Sequence, residues 1–224
     1  MGKIGRTEKT NIKILTPINI IGFILVMMAG WIDTVGVHIF LNENSSFLTG
    51  RAAKLGKYIL NGETQKIRDI LLIIIFFIVG ACISTLITKK AGLIGGLLFT
   101  GIFIIITAFT TSVKGINVAF ITIPMCMGGQ NAATSLTAIN RTTHLTGPAT
   151  DIGINIAKGN WNLVVFWVLR WVGFFMGTII AYKLIQIFKI KMIDFSYTLL
   201  IPGIIIILTG IIQKNIFDIS LLEE

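Results

Sequence analysis

Long apolar runs separated by short polar segments make up most of the chain. A run of about 18 or more apolar residues is long enough to cross the ~30 Å hydrocarbon core of a bilayer as one α-helix. Six runs meet this requirement: 14–41, 70–88, 92–111, 116–139, 161–185 and 195–213. The pattern predicts an all-α polytopic membrane protein with six long transmembrane helices.

Composition supports this interpretation and excludes two other classes. Of the 224 residues, 54% are hydrophobic and only 13% are charged, whereas soluble domains carry about 25% charged residues. A soluble globule and a disordered chain are therefore excluded. The net charge of +9 comes mainly from basic residues at the ends of the apolar runs, where they contact lipid headgroups. The charge therefore indicates a lipid bilayer as partner and no nucleic acid.

Two semi-polar stretches interrupt the apolar pattern and resemble each other. Residues 48–62 read LTGRAAKLGKYILNG and residues 145–159 read LTGPATDIGINIAKG, with seven identities at an offset of 97. The same offset carries Gly80 onto Gly177, and an offset of 98 aligns 29–33 with 127–131. We interpret the chain as a tandem duplication. Its predicted units are a basic cytoplasmic tail (1–13), a first transmembrane repeat (14–112), a second repeat (113–213) and a C-terminal tail (214–224).

Each repeated stretch is predicted to be a short extended segment followed by a half-length helix. Thr49 and Thr146 are good N-cap residues for these helices. Gly50 and Gly147 are expected to let a backbone or a solute approach the helix start, because no Cβ blocks it. A helix start inside the membrane would carry a partial positive charge toward a ligand. The alternative is an amphipathic half-helix that lies in the interface.

Four motifs together resemble one family of bacterial membrane proteins. The motifs are Gly30-Trp31-Ile32-Asp33, Phe47-Leu48-Thr49-Gly50, Gly129-Gln130-Asn131-Ala132 and Thr143-His144-Leu145-Thr146-Gly147. Over 21–210 the chain is similar to the YoaK-like integral membrane proteins, a domain of unknown function. The resemblance implies a multi-pass protein of the bacterial cytoplasmic (plasma) membrane and no established activity. The family usually has Asn where this chain has Arg51.

Asp33 and Arg170 are charged residues that lie well inside apolar runs. A carboxylate in the middle of a membrane helix costs about 2.5–3.5 kcal/mol unless it faces the bundle interior. Asp33 is therefore either a proton- or cation-handling acid or a structural acid, which pairs with Arg170 or binds a half-helix start. Arg170 either binds an anionic solute or serves as the counter-ion of Asp33. The counterpart of Asp33 in the second repeat is the neutral Asn131, which follows Gln130.

Two topologies are compatible with these segments. If the half-helices dip in and return on one side, there are six crossings and the two repeats are inverted. If each extended segment and its half-helix cross together, there are eight crossings and the repeats are parallel. Lys and Arg outside the spans divide nine to nine between the two sides in the first case. In the second they divide eleven inside to six outside, leaving out Arg51 and Arg170. Against the second, Lys54 and Lys57 would lie near the lipid and must snorkel, so both topologies stay open.

The predicted function is a small-solute secondary transporter or channel. Its substrate-binding residues would be Asp33, Thr49, Gly50, Gln130, Asn131, Thr146, Gly147 and Arg170. The alternative is a non-transporting scaffold or partner-binding subunit. Convergence of Asp33 and both helix starts on one hydrated cavity would favour transport, and a dry, filled core would favour the scaffold.

Other classes of function find no support in the sequence. It carries no enzyme motif and no metal or cofactor signature, so neither an enzyme nor a cofactor is expected. The expected partners are the lipid bilayer and a small solute whose identity the sequence does not specify. GxxxG faces such as Gly173–Gly177 are also compatible with a homo-oligomer.

Overall fold

A computed structural model describes residues 15–40, 48–110 and 118–222, and this part of the chain is helical throughout apart from its connections. The helices are α1 (Pro17–Ile39), α2 (Leu48–Leu60), α3 (Thr64–Thr110), α4 (Ala119–Ser135), α5 (Thr146–Ala157), α6 (Trp161–Ile190) and α7 (Leu200–Ile212). A 3-10 turn, Phe195–Leu199, precedes α7, and a π-helical turn, Gln213–Phe217, follows it. The predicted extended segment before α2 falls largely outside the described residues, as does the boundary between the repeats.

Gly92 divides α3 into two helices, α3a (Thr64–Ala91) and α3b (Leu93–Thr110). Its φ of 74° and ψ of −176° lie outside the helical region, and glycine adopts them without a Cβ penalty. The two helices form a tight hairpin, because a Cβ added at Gly96 on α3b would meet the side chains of Thr88 and Ser84 on α3a.

The two most buried helices, α1 and α4, cross antiparallel in the middle of the bundle. Phe40 at the end of α1 lies against Phe120 at the start of α4, with ring centroids 4.6 Å apart. Farther along both helices, Gln130 of α4 donates from Nε2 to the carbonyl of Leu25 on α1, at 2.9 Å. The later residue of α1 therefore meets the earlier residue of α4, so the helices run in opposite directions.

Each central helix packs against long helices from the other half of the chain. The α3 hairpin encloses α4, and α6 runs beside α1 in the same direction. Asn19 and His38 near the two ends of α1 contact Arg170 and Tyr182 of α6, in that order along both helices. The halves also meet where α3b packs on α7, at Gly101 and Gly203.

Glycines allow the closest backbone contacts between these helices. A Cβ added at Gly30 of α1 would overlap the carbonyl of Phe174 on α6. A Cβ added at Gly128 of α4 would overlap the backbone carbonyl of Phe77 on α3a.

A second pair of glycines has the reverse arrangement, with the glycine on the outer helix. Gly177 of α6 lies against the carbonyl of Met27 on α1, and Gly80 of α3a lies against that of Met125 on α4. The α1–α6 and α4–α3a interfaces therefore use glycines in the same way.

The prediction of an all-helical membrane protein is confirmed at the level of fold class. Five described helices are long and apolar enough to cross a membrane: Pro17–Ile39, Thr64–Ala91, Leu93–Thr110, Trp161–Ile190 and Phe195–Phe217. The predicted fourth span, 116–139, is shorter than expected, because α4 ends at Ser135. Thr137 Oγ1 accepts a hydrogen bond from the amide of Ile139, so the chain turns there instead of continuing as a helix.

Candidate functional site

The predicted site residues divide between the two ends of the bundle. One end, here called the α2 end, holds the last turn of α1, helix α2 and the first turns of α3a and α4. The opposite end, the α5 end, holds the first turn of α1, the 136–145 segment, α5 and the start of α6. Asp33, Thr49 and Gly50 belong to the half of the bundle at the α2 end. Gln130, Asn131, Thr146, Gly147 and Arg170 belong to the half at the α5 end.

A cavity of about 210 Å³ lies at the α2 end. Its lining residues come from α1, α2, α3a and α4, and they are Phe40, Arg51, Tyr58, Lys66, Asp69, Ile70 and Phe120. Arg51 is 2% exposed, and its guanidinium carbon lies 6.0 Å from the centre of the Phe40 ring. A guanidinium can donate two parallel hydrogen bonds to an anionic group.

Asp33 is buried on α1 below this cavity. It is 4% exposed and precedes Phe40 by seven residues, which places it on the same helix face about 10 Å deeper. Gly30, one turn before it, holds α1 against the backbone of α6. Asp33 therefore lies inside the bundle, as an intramembrane acid must.

The half-helices lie where the sequence predicts, and α5 begins at Thr146, but neither threonine caps its helix. Helix α2 starts at Leu48, so Thr49 is already inside it. Leu145 is the N-cap of α5, and no side chain caps that helix. The N-cap roles predicted for Thr49 and Thr146 are therefore wrong, and both residues are exposed.

The close backbone approach predicted at Gly147 is also absent. Among the described residues, only Nη1 of Arg141 comes within 4.0 Å of a Cβ added there. The glycines that do admit a backbone lie in the long helices, at Gly30, Gly80, Gly128 and Gly177.

A buried hydrogen-bond network surrounds Gln130 at the α5 end. Besides Leu25, Nε2 of Gln130 reaches Oγ1 of Thr142 at 3.1 Å. Oδ1 of Asn131 accepts a hydrogen bond from the backbone amide of Thr142 at 3.3 Å. The hydroxyl of Thr134 lies 3.1 Å from the hydroxyl of Thr142. This network holds the 136–145 segment against the last turns of α4. The segment therefore doubles back along the helix.

Arg170 is the most enclosed charged residue at this end. It is 1% exposed, and its guanidinium donates to Asn19 Oδ1 at 3.4 Å and to the carbonyls of Ile18 and Ile139, each at 3.3 Å. A weaker bond reaches the carbonyl of Phe166, whose ring centre is 3.9 Å from the guanidinium carbon. Arg170 thereby joins α1, α6 and the segment after α4.

The proposed pairing of Asp33 with Arg170 is wrong. The partners of Arg170 are at the start of α1, and Asp33 follows Asn19 by 14 residues, or about 21 Å along the helix. The counter-ion interpretation failed because sequence position shows that a charge is buried but not at which depth. Asn19, a partner of Arg170, and Thr142, a partner of Gln130, were missed for the same reason. Asn19 is a polar residue inside the first apolar run, and Thr142 follows the fourth.

His144 lies in the polar segment between α4 and α5. Burial lowers the pKa of its imidazole, and the nearby Arg141 lowers it further. The ring is therefore neutral at pH 7, so it adds no positive charge at the α5 end.

The crossing between the two ends is filled with side chains. Leu25, Ile32 and Met127 have 0% exposure and Met28 has 1%. The two half-helices and Asp33 thus do not converge on one cavity in this structure. Among residues 15–40, 48–110 and 118–222, no cluster of three or more His, Cys, Asp or Glu side chains could hold a metal ion.

Comparison with known proteins places the chain in a family. No curated protein and no solved structure is significantly similar to it. One family model, described as a protein of unknown function (DUF1275), matches residues 21–212. This agrees with the resemblance of the Gly-Trp-Ile-Asp and Thr-Gly motifs, and it covers every helix from α2 to α7. The chain, a helical protein with several helices suited to crossing a membrane, belongs to the DUF1275 family.

Proposed function

We propose that the protein is a small-solute secondary transporter of the bacterial cytoplasmic membrane, built from two inverted repeats that cross it six times. The proposal rests on the glycine contacts of the α1–α6 and α4–α3a interfaces, which correspond residue by residue. Adding 98 to the α1 positions and subtracting 97 from the α6 positions converts the Gly30–Phe174 contact into Gly128–Phe77. It also converts Met27–Gly177 into Met125–Gly80. This correspondence between contacts in the two halves supports a common origin of the halves.

The direction of the helices supports inversion of the repeats. Because α1 and α4 are equivalent in this scheme and antiparallel, the halves have opposite orientations. Helix α2 contacts the α2-end cavity both near its start, through Arg51, and near its end, through Tyr58. This supports a position of α2 at one end of the bundle and a proposal of six crossings. They are α1, α3a, α3b, α6, α7 and the 17-residue α4, which is shorter than the other five spans.

Inverted repeats suit alternating access. Two equivalent but inverted halves can exchange conformations, and each exchange opens the opposite side of the membrane. The α2-end cavity and the α5-end network flank the filled α1–α4 crossing, as expected for a closed state of such a carrier. Asp33, on the cavity side of this crossing, is the residue we propose for proton coupling.

The filled α1–α4 crossing favours the second candidate, a non-transporting scaffold, because a filled core was the feature expected of a scaffold. Solute uptake into proteoliposomes, measured with and without a proton gradient, separates the two. The probes are radiolabelled amino acids, sugars and monocarboxylates. The scaffold predicts no uptake of any of them above empty liposomes.

A cross-link between the halves tests the alternating mechanism directly. The Ser196 hydroxyl is 3.2 Å from the carbonyl of Ala108, which joins the first turn before α7 to the end of α3b. We expect Ala108→Cys with Ser196→Cys, in a Cys82→Ser background, to lose uptake on oxidation and to regain it on reduction. Uptake that is unaffected by the cross-link contradicts alternating access.

A further inference from the structure

We infer that the α2-end cavity binds a small organic carboxylate through Arg51. This deepens the proposed function, on which the role of the ligand as a transported substrate rests. The cavity itself is a physical site whose binding can be measured without transport.

The size of the cavity limits the ligand. One water molecule occupies about 30 Å³ of the liquid, so a cavity of about 210 Å³ accommodates several waters or a ligand of similar volume. A short monocarboxylate fits within this volume.

Arg51 occupies a position on α2 where an apolar residue is expected. The inward face of α2 is formed by Leu48, Arg51, Leu55 and Tyr58, at the 3-4-3 spacing of a helix stripe. Lys54 and Lys57 point outward and are exposed. One cation of α2 has therefore been placed in the cavity wall while its two neighbours remain solvated.

The other charges at the cavity leave the neighbourhood positive. Lys66 lies 2.6 Å from Glu63, and Arg68 lies 2.9 Å from Asp69. The hydrogen bond from Lys66, with a second from Asn61, lowers the pKa of Glu63. Over 48–70 there are five basic and two acidic residues, and Asp33, buried below the cavity, is a third acid, so the basic residues exceed the acidic ones by two. An anion is therefore drawn to this end and a cation is repelled.

The remaining walls fit the apolar part of an organic acid. Phe40, Ile70 and Phe120 line the cavity, and Phe40 and Ile70 are 3% and 2% exposed. A guanidinium binds a carboxylate through two parallel hydrogen bonds, and the low dielectric of a buried site strengthens them. Propionate combines such a carboxylate with a short alkyl chain.

Calorimetric titration of the purified protein in detergent tests the site. The probes are propionate, its neutral isostere propionamide, and inorganic phosphate. We expect propionate to bind, and propionamide and phosphate to bind at least about tenfold more weakly, since each lacks either the charge or the alkyl group. Equal binding of propionamide overturns the inference, and so does a preference for phosphate.

Three variants connect binding to the cavity. Arg51→Gln should weaken propionate binding at least about tenfold, while the matched control Lys57→Gln on the outer face of α2 should stay within about twofold. If Arg51→Gln does not fold, Ile70→Trp fills the cavity and retains the guanidinium, and it should abolish binding. Normal binding by Ile70→Trp, or by folded Arg51→Gln, overturns the inference.

Failure of this site and failure of the transport proposal give different results. Arg51-dependent propionate binding without any uptake retains the site and contradicts the carrier. Uptake of a probe by a protein that does not bind propionate retains the carrier and contradicts the site.

Discussion

Arg170 shows how a buried cation can be held in a membrane protein by neutral groups, since its hydrogen-bond partners within 15–40, 48–110 and 118–222 include no carboxylate. Its hydrogen-bond partners are two backbone carbonyls of other elements, one amide side chain and a carbonyl of its own helix. The ring of Phe166 covers one face of the guanidinium. Several neutral dipoles together offset the cost of burying the charge.

The first prediction concerns the independence of Arg170 and Asp33. Arg170→Gln should lower stability in detergent by about 1–3 kcal/mol, because buried carbonyls lose their donor. Asp33→Asn should not rescue it, since Asp33 lies about 21 Å along α1 from Asn19, the α1 side chain that Arg170 contacts. A double-mutant cycle of melting curves should give a coupling below about 0.5 kcal/mol. Recovery of stability in the double variant would restore the ion-pair interpretation.

The second prediction concerns the glycine that makes room for Arg170. A Cβ at Gly22 would overlap Cζ and Nη2 of the guanidinium, so Gly22→Ala should destabilise the protein by about 1–3 kcal/mol. Gly56→Ala on α2 is the matched control, because nothing lies within 4 Å of its added Cβ. It should leave the melting temperature unchanged or raise it slightly. Equal effects of both changes would indicate that helix propensity, not space around Arg170, determines the result.

At the scale of elements, the α1–α6 and α4–α3a interfaces depend on backbone contact at glycine. Small residues allow helices to approach closely in a bilayer, where dispersion and weak polar contacts replace the hydrophobic effect between helices. Because the two interfaces share this arrangement, a glycine substitution in one interface has an equivalent substitution in the other.

The third prediction follows from this correspondence. Gly80→Ala and Gly177→Ala should each destabilise the protein by a similar amount, about 1–3 kcal/mol, because each Cβ overlaps a carbonyl of the neighbouring helix. Gly153→Ala on α5 has open space and serves as the control. Thermal melting of the purified variants measures the effect. If Gly80→Ala and Gly177→Ala differ strongly, the two interfaces are not energetically equivalent.

At the scale of the whole molecule, α2 and α5 lie at opposite ends of the bundle, as the proposed inversion of the repeats requires. Six crossings put the first described residue, Leu15, and the turn at Gly92 on the same side. Eight crossings would put them on opposite sides, since α2 would then add a crossing between them.

The fourth prediction is therefore a topology. A reporter inserted at Lys89-Lys90 should face the same side as a reporter at the N-terminus, and one inserted at Asn61-Gly62 should face the other. Alkaline phosphatase and green fluorescent protein fusions are the measurement. Opposite locations of the Lys89-Lys90 and N-terminal reporters would contradict six crossings and the inversion of the repeats.

The sequence by itself determined the class of protein and the position of most helices. Apolar length fixes a membrane helix locally, because every backbone polar group in the hydrocarbon must be bonded within its own segment. Five of the six predicted runs correspond to helices long enough to cross. The repeated Thr-Gly segments likewise identified the two half-helices, although the Thr residues do not cap them.

Only the tertiary structure decided which polar residues lie together. Gln130 and Thr142 are joined because the chain folds back after Ser135, and Arg170 meets Asn19 because α6 runs parallel to α1. In the sequence, Asp33 and Arg170 both lie in the middle of apolar runs. In the folded protein they lie toward opposite ends of the bundle. Hydropathy reports that a residue is buried, but its depth and neighbours depend on the direction and packing of every helix around it.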